Sequence, residues 1–425
     1  MGNTTDLNLE TEVLPFFDFT LNHFAKAELA SLFRHPLASI DEIETRQQII
    51  KGFMANCGIL GNYAYAKQDF YEVHHFLTNP PALNFTPGER LKLTFSEKER
   101  HPLKTKVVQF VLLFSKLDLY YFKRIDARLF PEVYKEDLHI ISSFPALFNL
   151  DLYDTLIREG RFSTRHIIAL SKIIAVKYTE GAIAAFYQRL SRFEAFLSVS
   201  QGISRHEFKF PSFSGGAFFL EQLYHPLLKK PVKNNFSIDK NVILITGPNM
   251  SGKSTFLKSL GICIYLAHLG FAIPADTAVI PFFDHIALSI NHNDSLANGY
   301  SHFMNEIIRL KNVVTEAAAG KRCFAVFDEL FKGTNIDDAV KISTTTINGL
   351  TKFENSFFMI STHLHQLKEG ESIKMQKVGT YYIDCQVENG APVFKYQIKE
   401  GWSDVKVGQI LFRKEGLDEL LKEDA

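Results

Sequence analysis

A glycine-rich segment, GPNMSGKST, matches the pattern GxxxxGK[ST] in full. The apolar run VILIT precedes it and the helical pattern FLKSLGICIYLAHL follows it, which is the strand, loop and helix context that the motif requires. Backbone N–H groups of such a turn and of the helix N-terminus converge on phosphate, so the segment predicts an α/β domain that binds a nucleotide. The candidate nucleotide-binding residues are Gly247, Pro248, Asn249, Met250, Ser251, Gly252, Lys253, Ser254 and Thr255.

Within this segment, two side chains have expected roles beyond the backbone cradle. Lys253 would neutralise the outer phosphates, and the Ser254 hydroxyl would be a ligand for Mg²⁺. A second apolar run, CFAVF, ends at Asp328 and Glu329. Because buried parallel strands end at the nucleotide, Asp328 is expected to hold Mg²⁺ through its water shell and Glu329 to polarise the attacking water. The alternative is a pair of acids that caps a surface strand.

A third apolar run, FFMIST, ends at His363. In ATPases of the ABC type a histidine at this place contacts the γ-phosphate or positions the water, although a strand-end histidine taken alone is more often structural. Its order after the acidic strand favours the catalytic interpretation. A metabolic kinase rarely has these motifs in this order, and the sequence has no NKxD segment for reading guanine. The pattern therefore predicts an ATPase of the ABC type that uses ATP and Mg²⁺.

The first half of the chain has a helical pattern instead. Phe186, Leu190, Phe193 and Leu197 recur at the spacing of one helix face. Around residues 201–216 the segment SRHEFKFPSFSGG collects Ser, Gly and Pro and ends this pattern. We therefore predict an all-α domain over residues 1–215, followed by an α/β P-loop domain over residues 216–425.

The amino-acid composition does not indicate which kind of partner the protein binds. The 47 basic and 47 acidic residues cancel, so nucleic-acid binding would need a local basic patch. The best candidate is TFSEKERHPLKTK, from Thr94 to Lys106, for which a solvated loop is the favoured interpretation over a phosphate contact. The four cysteines have no CxxC spacing, no export signal is visible, and no apolar run approaches the roughly 20 residues that cross a bilayer. A cytoplasmic protein without a membrane partner is expected.

From about residue 216 to residue 416 the chain resembles the ATPase domain of the MutS family of DNA mismatch repair proteins. The resemblance rests on Tyr224-His225-Pro226, TGPNMSGKST, the segments Gly270–Ala275 and Asp294–Glu306, FDELFKGTN and STHLHQL. TGPNM before GKST and the stretch from Ser301 to Glu306 are specific to MutS-like proteins. These lack the LSGGQ signature of transporter ATPases, which is also missing here, so a transporter subunit is disfavoured.

The resemblance implies that two subunits enclose ATP, in a homodimer that ATP strengthens. It assigns Ser301, Gly333, Thr334 and Asn335 to contacts with the nucleotide of the other subunit, and it places Val232 where the family stacks a hydrophobic side chain on adenine. Lys332 and Asn335 depart from the Arg and Ser that are usual at these positions.

The N-terminal half resembles the lever domain of the family, also termed domain III, from near residue 20. This start leaves no room for a mismatch-reading domain within the sequence. Phe70-Tyr71-Glu72 imitates the Phe-x-Glu wedge of mismatch readers, but it lies inside the lever match, so we expect coincidence and an inward-facing Phe70. The expected function is DNA binding, in DNA repair or DNA-structure sensing, with ATP driving lever movement. The alternative is an ATP-switched module that acts on protein or RNA.

Overall fold

The structure is a computed structural model, and it describes residues 7–80, 86–290, 302–370, 373, 375–388, 390–405 and 407–421. The chain divides into two compact units. A helical unit comprises Phe16–Arg34 and Thr45–His206, and an α/β unit contains the segment from Glu207 onwards together with N-terminal residues up to Pro15 and His35–Glu44. The change of unit at residue 207 lies a little before the predicted boundary. The sequence patterns did not predict that the residues up to Pro15 and His35–Glu44 belong to the α/β unit.

Short 3₁₀ helices occur at residues 14–16 and between residues 121 and 149, and the other described residues up to 206 fold mainly into α-helices. These α-helices are α1 (His23–Arg34), α2 (Ile40–Ala55), α3 (Cys57–Leu60), α4 (Lys67–Thr78), α5 (Pro87–Phe95), α6 (Glu97–Tyr120), α7 (Glu132–Ser143), α8 (Leu150–Arg158), α9 (Thr164–Thr179) and α10 (Ala182–His206). The apolar stripe of α10 is buried throughout, as its spacing predicts. Phe53 of α2 meets Phe193 of α10 edge to face, with ring centroids 4.9 Å apart, so aromatic packing builds much of this core.

The basic segment from Thr94 to Lys106 is helical, and the prediction of a loop there is wrong. It covers the end of α5 and the first turns of α6, and its side chains are mostly exposed. The Ser96 hydroxyl accepts a hydrogen bond from the Glu99 amide at 3.4 Å, which marks the start of α6. Pro102 lies inside the helix near this start. The buried apolar residues that follow, beginning at Val107, stabilise the helix despite the proline.

Phe70 points into the core of the helical unit. It lies in α4, is only 2% exposed, and stacks on Tyr65 with ring centroids 4.7 Å apart. The ring of Tyr187 meets it edge to face at 6.0 Å. An aromatic wedge has to project from the surface to enter a base step. The inward orientation therefore agrees with the expectation that the Phe-x-Glu match is a coincidence.

We expect Phe70→Ala to destabilise the helical unit by about 3–5 kcal/mol, because it removes a buried ring and leaves a cavity. Phe95→Ala is a matched control, since Phe95 ends α5 and is 81% exposed. Its effect should stay within about 0.5 kcal/mol. Urea denaturation followed by circular dichroism would measure both variants. Equal midpoints for Phe70→Ala and the wild type would contradict the packing described here.

The α/β unit contains two sheets. Its strands are β1 (Ser212–Phe213), β2 (Phe218–Leu223), β3 (Asn234–Ile238), β4 (Val242–Thr246), β5 (Thr277–Ile280), β6 (His285–Ser289), β7 (Cys323–Phe327), β8 (Phe357–Ser361), β9 (Gly379–Glu388) and β10 (Ala391–Glu400). The smaller sheet has the order β1-β5-β2-β3, and the larger has the order β10-β9-β4-β8-β7-β6. The helices are α11 (Lys253–His268), α12 (His302–Ala318), α13 (Ile336–Leu350), α14 (Val407–Lys414) and α15 (Leu417–Leu420).

The centre of the larger sheet places the three predicted motifs side by side. Strands β4, β8 and β7 are parallel neighbours, and every residue in them is buried, which explains their continuous apolar sequences. Ile245 of β4 pairs with Ser361 of β8, and Phe327 of β7 pairs with Ile360. The three strands therefore end at the same edge of the sheet. Within the described ranges, none of the helices has the length and hydropathy of a membrane-spanning segment.

Candidate nucleotide-binding site

The glycine-rich loop connects β4 to α11 and has a backbone that requires glycine at two points. Gly247 has φ 140° and Gly252 has φ 100°, values that side chains with a Cβ rarely adopt. A Cβ on Gly252 would also lie 3.1 Å from the ring of Tyr396. The loop ends at the N-terminus of α11, where unpaired backbone N–H groups favour an anion.

Lys253 lies under this loop. Its Nζ donates hydrogen bonds to the carbonyl oxygens of Gly247, at 2.8 Å, and of Pro248, at 3.1 Å. Burial lowers the pKa of Lys253, while the negative charges of Glu329 and Asp328 act in the opposite direction. The two carboxylates therefore favour the ammonium form of a buried lysine beside the loop.

The acidic pair after β7 is joined to β8 by one hydroxyl group. Ser361, at the end of β8, donates a hydrogen bond to the carboxylate of Asp328 and accepts one from the Glu329 backbone N–H at 2.8 Å. Asp328 is 6% exposed, so it is oriented by a fixed partner and not by solvent. The Ser361 hydroxyl therefore fixes the Asp328 carboxylate relative to the Glu329 backbone.

Glu329 forms an ion pair with Lys332, in which Lys332 Nζ and the Glu329 Oε2 atom are 2.6 Å apart. Burial by itself would raise the pKa of Glu329, but the hydrogen bond and the charge of Lys332 outweigh it and hold the pKa below its ordinary value. The carboxylate is therefore ionised at neutral pH, which is the form that can accept a proton.

A cleft of about 600 Å³ is lined by eight of the predicted site residues. Its volume lies in the range of small-molecule and cofactor sites. The predicted residues that line it are Val232, Asn249, Met250, Gly252, Lys253, Ser254, Thr255 and Glu329. The cleft therefore unites the loop, the acidic strand end and the proposed adenine position, which are far apart in the sequence.

The other predicted residues lie elsewhere. His363 is exposed and lines a neighbouring cavity of about 270 Å³ together with Gly247 and Pro248. Gly333 and Asn335 are exposed beyond Lys332, where the Asn335 side chain accepts a hydrogen bond from the Asp338 amide at 2.9 Å and caps α13. Thr334 is half-buried between them. Ser301 lies outside the described residues.

Two further residues of the site were not predicted from the sequence to be functional. Tyr396 lines the cleft together with Val232, and its ring lies 3.1 Å from where a Cβ on Gly252 would be, but it belongs to β10, far along the chain from the loop. Ser361 is hydrogen-bonded to both Asp328 and Glu329, but the sequence shows it simply as a serine two residues before His363. The position of Ser361 at the end of a predicted apolar strand could have marked it as a site residue. No motif in the sequence around Tyr396 could have done the same.

The residues present fit a magnesium ion that binds mainly through phosphate and water. Such an ion takes one or two protein ligands, which here would be the Ser254 hydroxyl and the Asp328 carboxylate. Ser254 lines the cleft at the start of α11, and Asp328 lies at the neighbouring strand end. In the part of the chain that the structure describes, no three His, Cys, Asp or Glu side chains cluster as a ligand set of their own.

A glycine-rich loop and an acidic pair at the carboxyl ends of parallel strands of one sheet are typical of nucleotide-binding α/β proteins. The larger sheet and its cleft define a mixed α/β domain of this class. Residues 243–420 match MutS domain V, so this part of the chain is similar to the MutS family. MutS family proteins are ATPases.

Named relatives support the same assignment. The chain is 32% identical over 234 residues to the DNA mismatch repair protein MutS of Bacillus subtilis (strain 168), a match that covers 53% of this chain and 27% of the relative. It is 31% identical over 224 residues to the protein of the same name from Listeria monocytogenes serovar 1/2a, covering 51% of this chain and 25% of the relative. The matched part therefore spans about a quarter of the length of these relatives.

Proposed function

We propose that the α/β unit binds ATP with Mg²⁺ and hydrolyses it. The observation that carries this proposal is the meeting of Lys253, Asp328 and Glu329 at the edge of the sheet where β4 and β7 end, with Lys253 and Glu329 lining one cleft. Residues 247–255 would surround the phosphates, with Lys253 opposite the β- and γ-phosphates. Val232 and Tyr396 would lie against the base, because both line the cleft and the Asn234 side chain donates hydrogen bonds to the carbonyl oxygens of both.

The chain's own residues have separate roles in this reaction. Bound Mg²⁺ would neutralise charge on the phosphates, held by Ser254 and Asp328. Glu329 would accept a proton from the water that attacks the γ-phosphorus, and the bond to the ADP oxygen would break. Lys332 covers Glu329 through the 2.6 Å ion pair, so this contact has to loosen before the water can reach the carboxylate. His363 would position the water or contact the γ-phosphate.

We further propose that two copies of the chain enclose the nucleotides. Ser301, Gly333, Thr334 and Asn335 would contact the nucleotide of the partner subunit. The exposure of Gly333 and Asn335, and their place outside the cleft lining, support a role toward a second molecule and not toward the nucleotide of their own subunit. ATP would then strengthen the homodimer, since each nucleotide would contribute contacts to both subunits.

We propose DNA as the target and the helical unit as a lever that moves with the state of the nucleotide. The match to MutS domain V and the name of the relatives, DNA mismatch repair protein, support this proposal. DNA repair or DNA-structure sensing is the corresponding process. With Phe70 buried in α4, the helical unit has no wedge at the Phe-x-Glu match.

Binding to homoduplex, singly mismatched, branched and single-stranded DNA, with and without ATP and over a salt series, tests the proposed target. We expect ATP to change the affinity for at least one of these ligands, and the logarithm of the affinity to fall linearly with the logarithm of the salt concentration. Mismatched and homoduplex DNA should bind equally well. Absence of DNA binding at low salt would contradict the target and favour the module that acts on protein or RNA.

A further inference from the structure

The loop from β7 to α13 is held in an unusual backbone conformation. Glu329 has φ 53° and Phe331 has φ 65°, so two residues with side chains lie in the left-handed region. Residues with a Cβ rarely adopt this conformation, and it persists only where the surroundings fix it. The direction of the Glu329 carboxylate depends on this backbone, because the side chain leaves the loop at one of the two strained positions.

Helix α12 supplies the contacts that fix the second strained position. Glu306 Oε2 accepts a hydrogen bond from the Phe331 backbone N–H at 2.9 Å, and both side chains are buried, at 6% and 1% exposure. One turn earlier in α12, Phe303 lies close to the ring of Phe331, with centroids 6.1 Å apart. A Cβ on Gly333 would lie 3.2 Å from the Cβ of Phe303, so the same helix also packs on the end of the loop.

The first strained position is tied to β8 and to Lys332. The Ser361 hydroxyl holds the Glu329 amide at 2.8 Å, and Lys332 Nζ holds the carboxylate at 2.6 Å. Between these two fixed points, Phe331 is held from α12 by the Glu306 hydrogen bond and by the ring of Phe303. A shift of α12 would therefore release or tighten the turn at Phe331 and change where Glu329 points. The contacts of Lys253 with the glycine-rich loop do not involve Glu306.

We propose that Glu306 is a positioning residue for Glu329. Its carboxylate fixes the left-handed turn at Phe331 and thereby couples the position of α12 to the carboxylate that faces the attacking water. The inference rests on the proposed hydrolysis of ATP. Glu306 itself would touch neither the nucleotide nor the attacking water. Through Glu306, a movement of α12 would change the position of the Glu329 carboxylate and therefore the rate of hydrolysis.

Glu306→Ala and Glu306→Gln separate this role from general destabilisation. Glu306→Ala should lower kcat roughly 10- to 100-fold, because a small misplacement of a catalytic group has effects of this size, and should change the ATP dissociation constant less than about twofold. Glu306→Gln should retain most of the activity, since its amide oxygen accepts the same hydrogen bond. Glu316→Ala is the matched control, because Glu316 lies on the same helix and pairs with Lys321.

Hydrogen exchange at the Phe331 amide gives a readout that does not depend on turnover. Exchange in the nucleotide-free protein should be faster in Glu306→Ala than in the wild type, and close to the wild-type rate in Glu306→Gln. Unchanged exchange or unchanged kcat in Glu306→Ala would overturn the inference, and so would equal loss of kcat in both variants. A wild-type protein that does not hydrolyse ATP would instead refute the proposed function.

Discussion

Glu329→Gln is expected to bind ATP like the wild type and to hydrolyse it roughly 100-fold more slowly, or slower still. The substitution keeps the size of the side chain, but a neutral amide is a much weaker proton acceptor than the carboxylate. The structure favours this result, because Lys332 holds the pKa of Glu329 below its ordinary value and the wild-type group is thus ionised at neutral pH. ATP trapped in the variant should also favour the proposed dimer.

Single-turnover hydrolysis and equilibrium nucleotide binding separate these effects. Glu354→Gln is a matched control, since Glu354 is exposed and does not line the cleft. Sedimentation of the Glu329→Gln protein with and without ATP measures the dimer. Hydrolysis at the wild-type rate would show that Glu329 is not the proton acceptor, and the assignment of the strand end after β7 would then be wrong.

Lys253→Ala is expected to abolish tight ATP binding, raising the dissociation constant roughly 100-fold or more. The loop would lose the ammonium group that faces the β- and γ-phosphates, and hydrogen bonds between charged groups contribute about 1.5–3 kcal/mol each. The fold should persist, because the variant removes a buried charge whose hydrogen bonds go to the carbonyl groups of Gly247 and Pro248.

Titration with a fluorescent ATP analogue measures the affinity, and circular dichroism confirms folding. Lys352→Ala provides the control, since Lys352 is exposed after α13 and lies outside the cleft lining. An unchanged dissociation constant in a folded Lys253→Ala protein would refute phosphate binding by this loop. Loss of binding in Lys352→Ala as well would point to a nonspecific effect of charge.

Local patterns were sufficient where neighbours in the sequence decide the structure. The apolar strands before Gly247, Asp328 and His363 form as predicted, because residues buried on both faces of a parallel sheet need continuous apolar sequences. The inward position of Phe70 also followed from its place in a helical pattern. The error at Thr94–Lys106 arose because charged residues and Pro102 suggested a loop, whereas the packing of the later part of α6 extends the helix through them.

The sequence by itself determined the glycine-rich loop, the acidic pair and the apolar strands that lead into them, since each depends on residues within a short stretch. Only the tertiary structure showed that Ser361 bridges Asp328 and Glu329, that Tyr396 lies against Gly252, and that Glu306 fixes the turn at Phe331. These contacts join segments separated by many residues. Their geometry is set by how strands and helices pack, and no periodicity or motif within one segment encodes it.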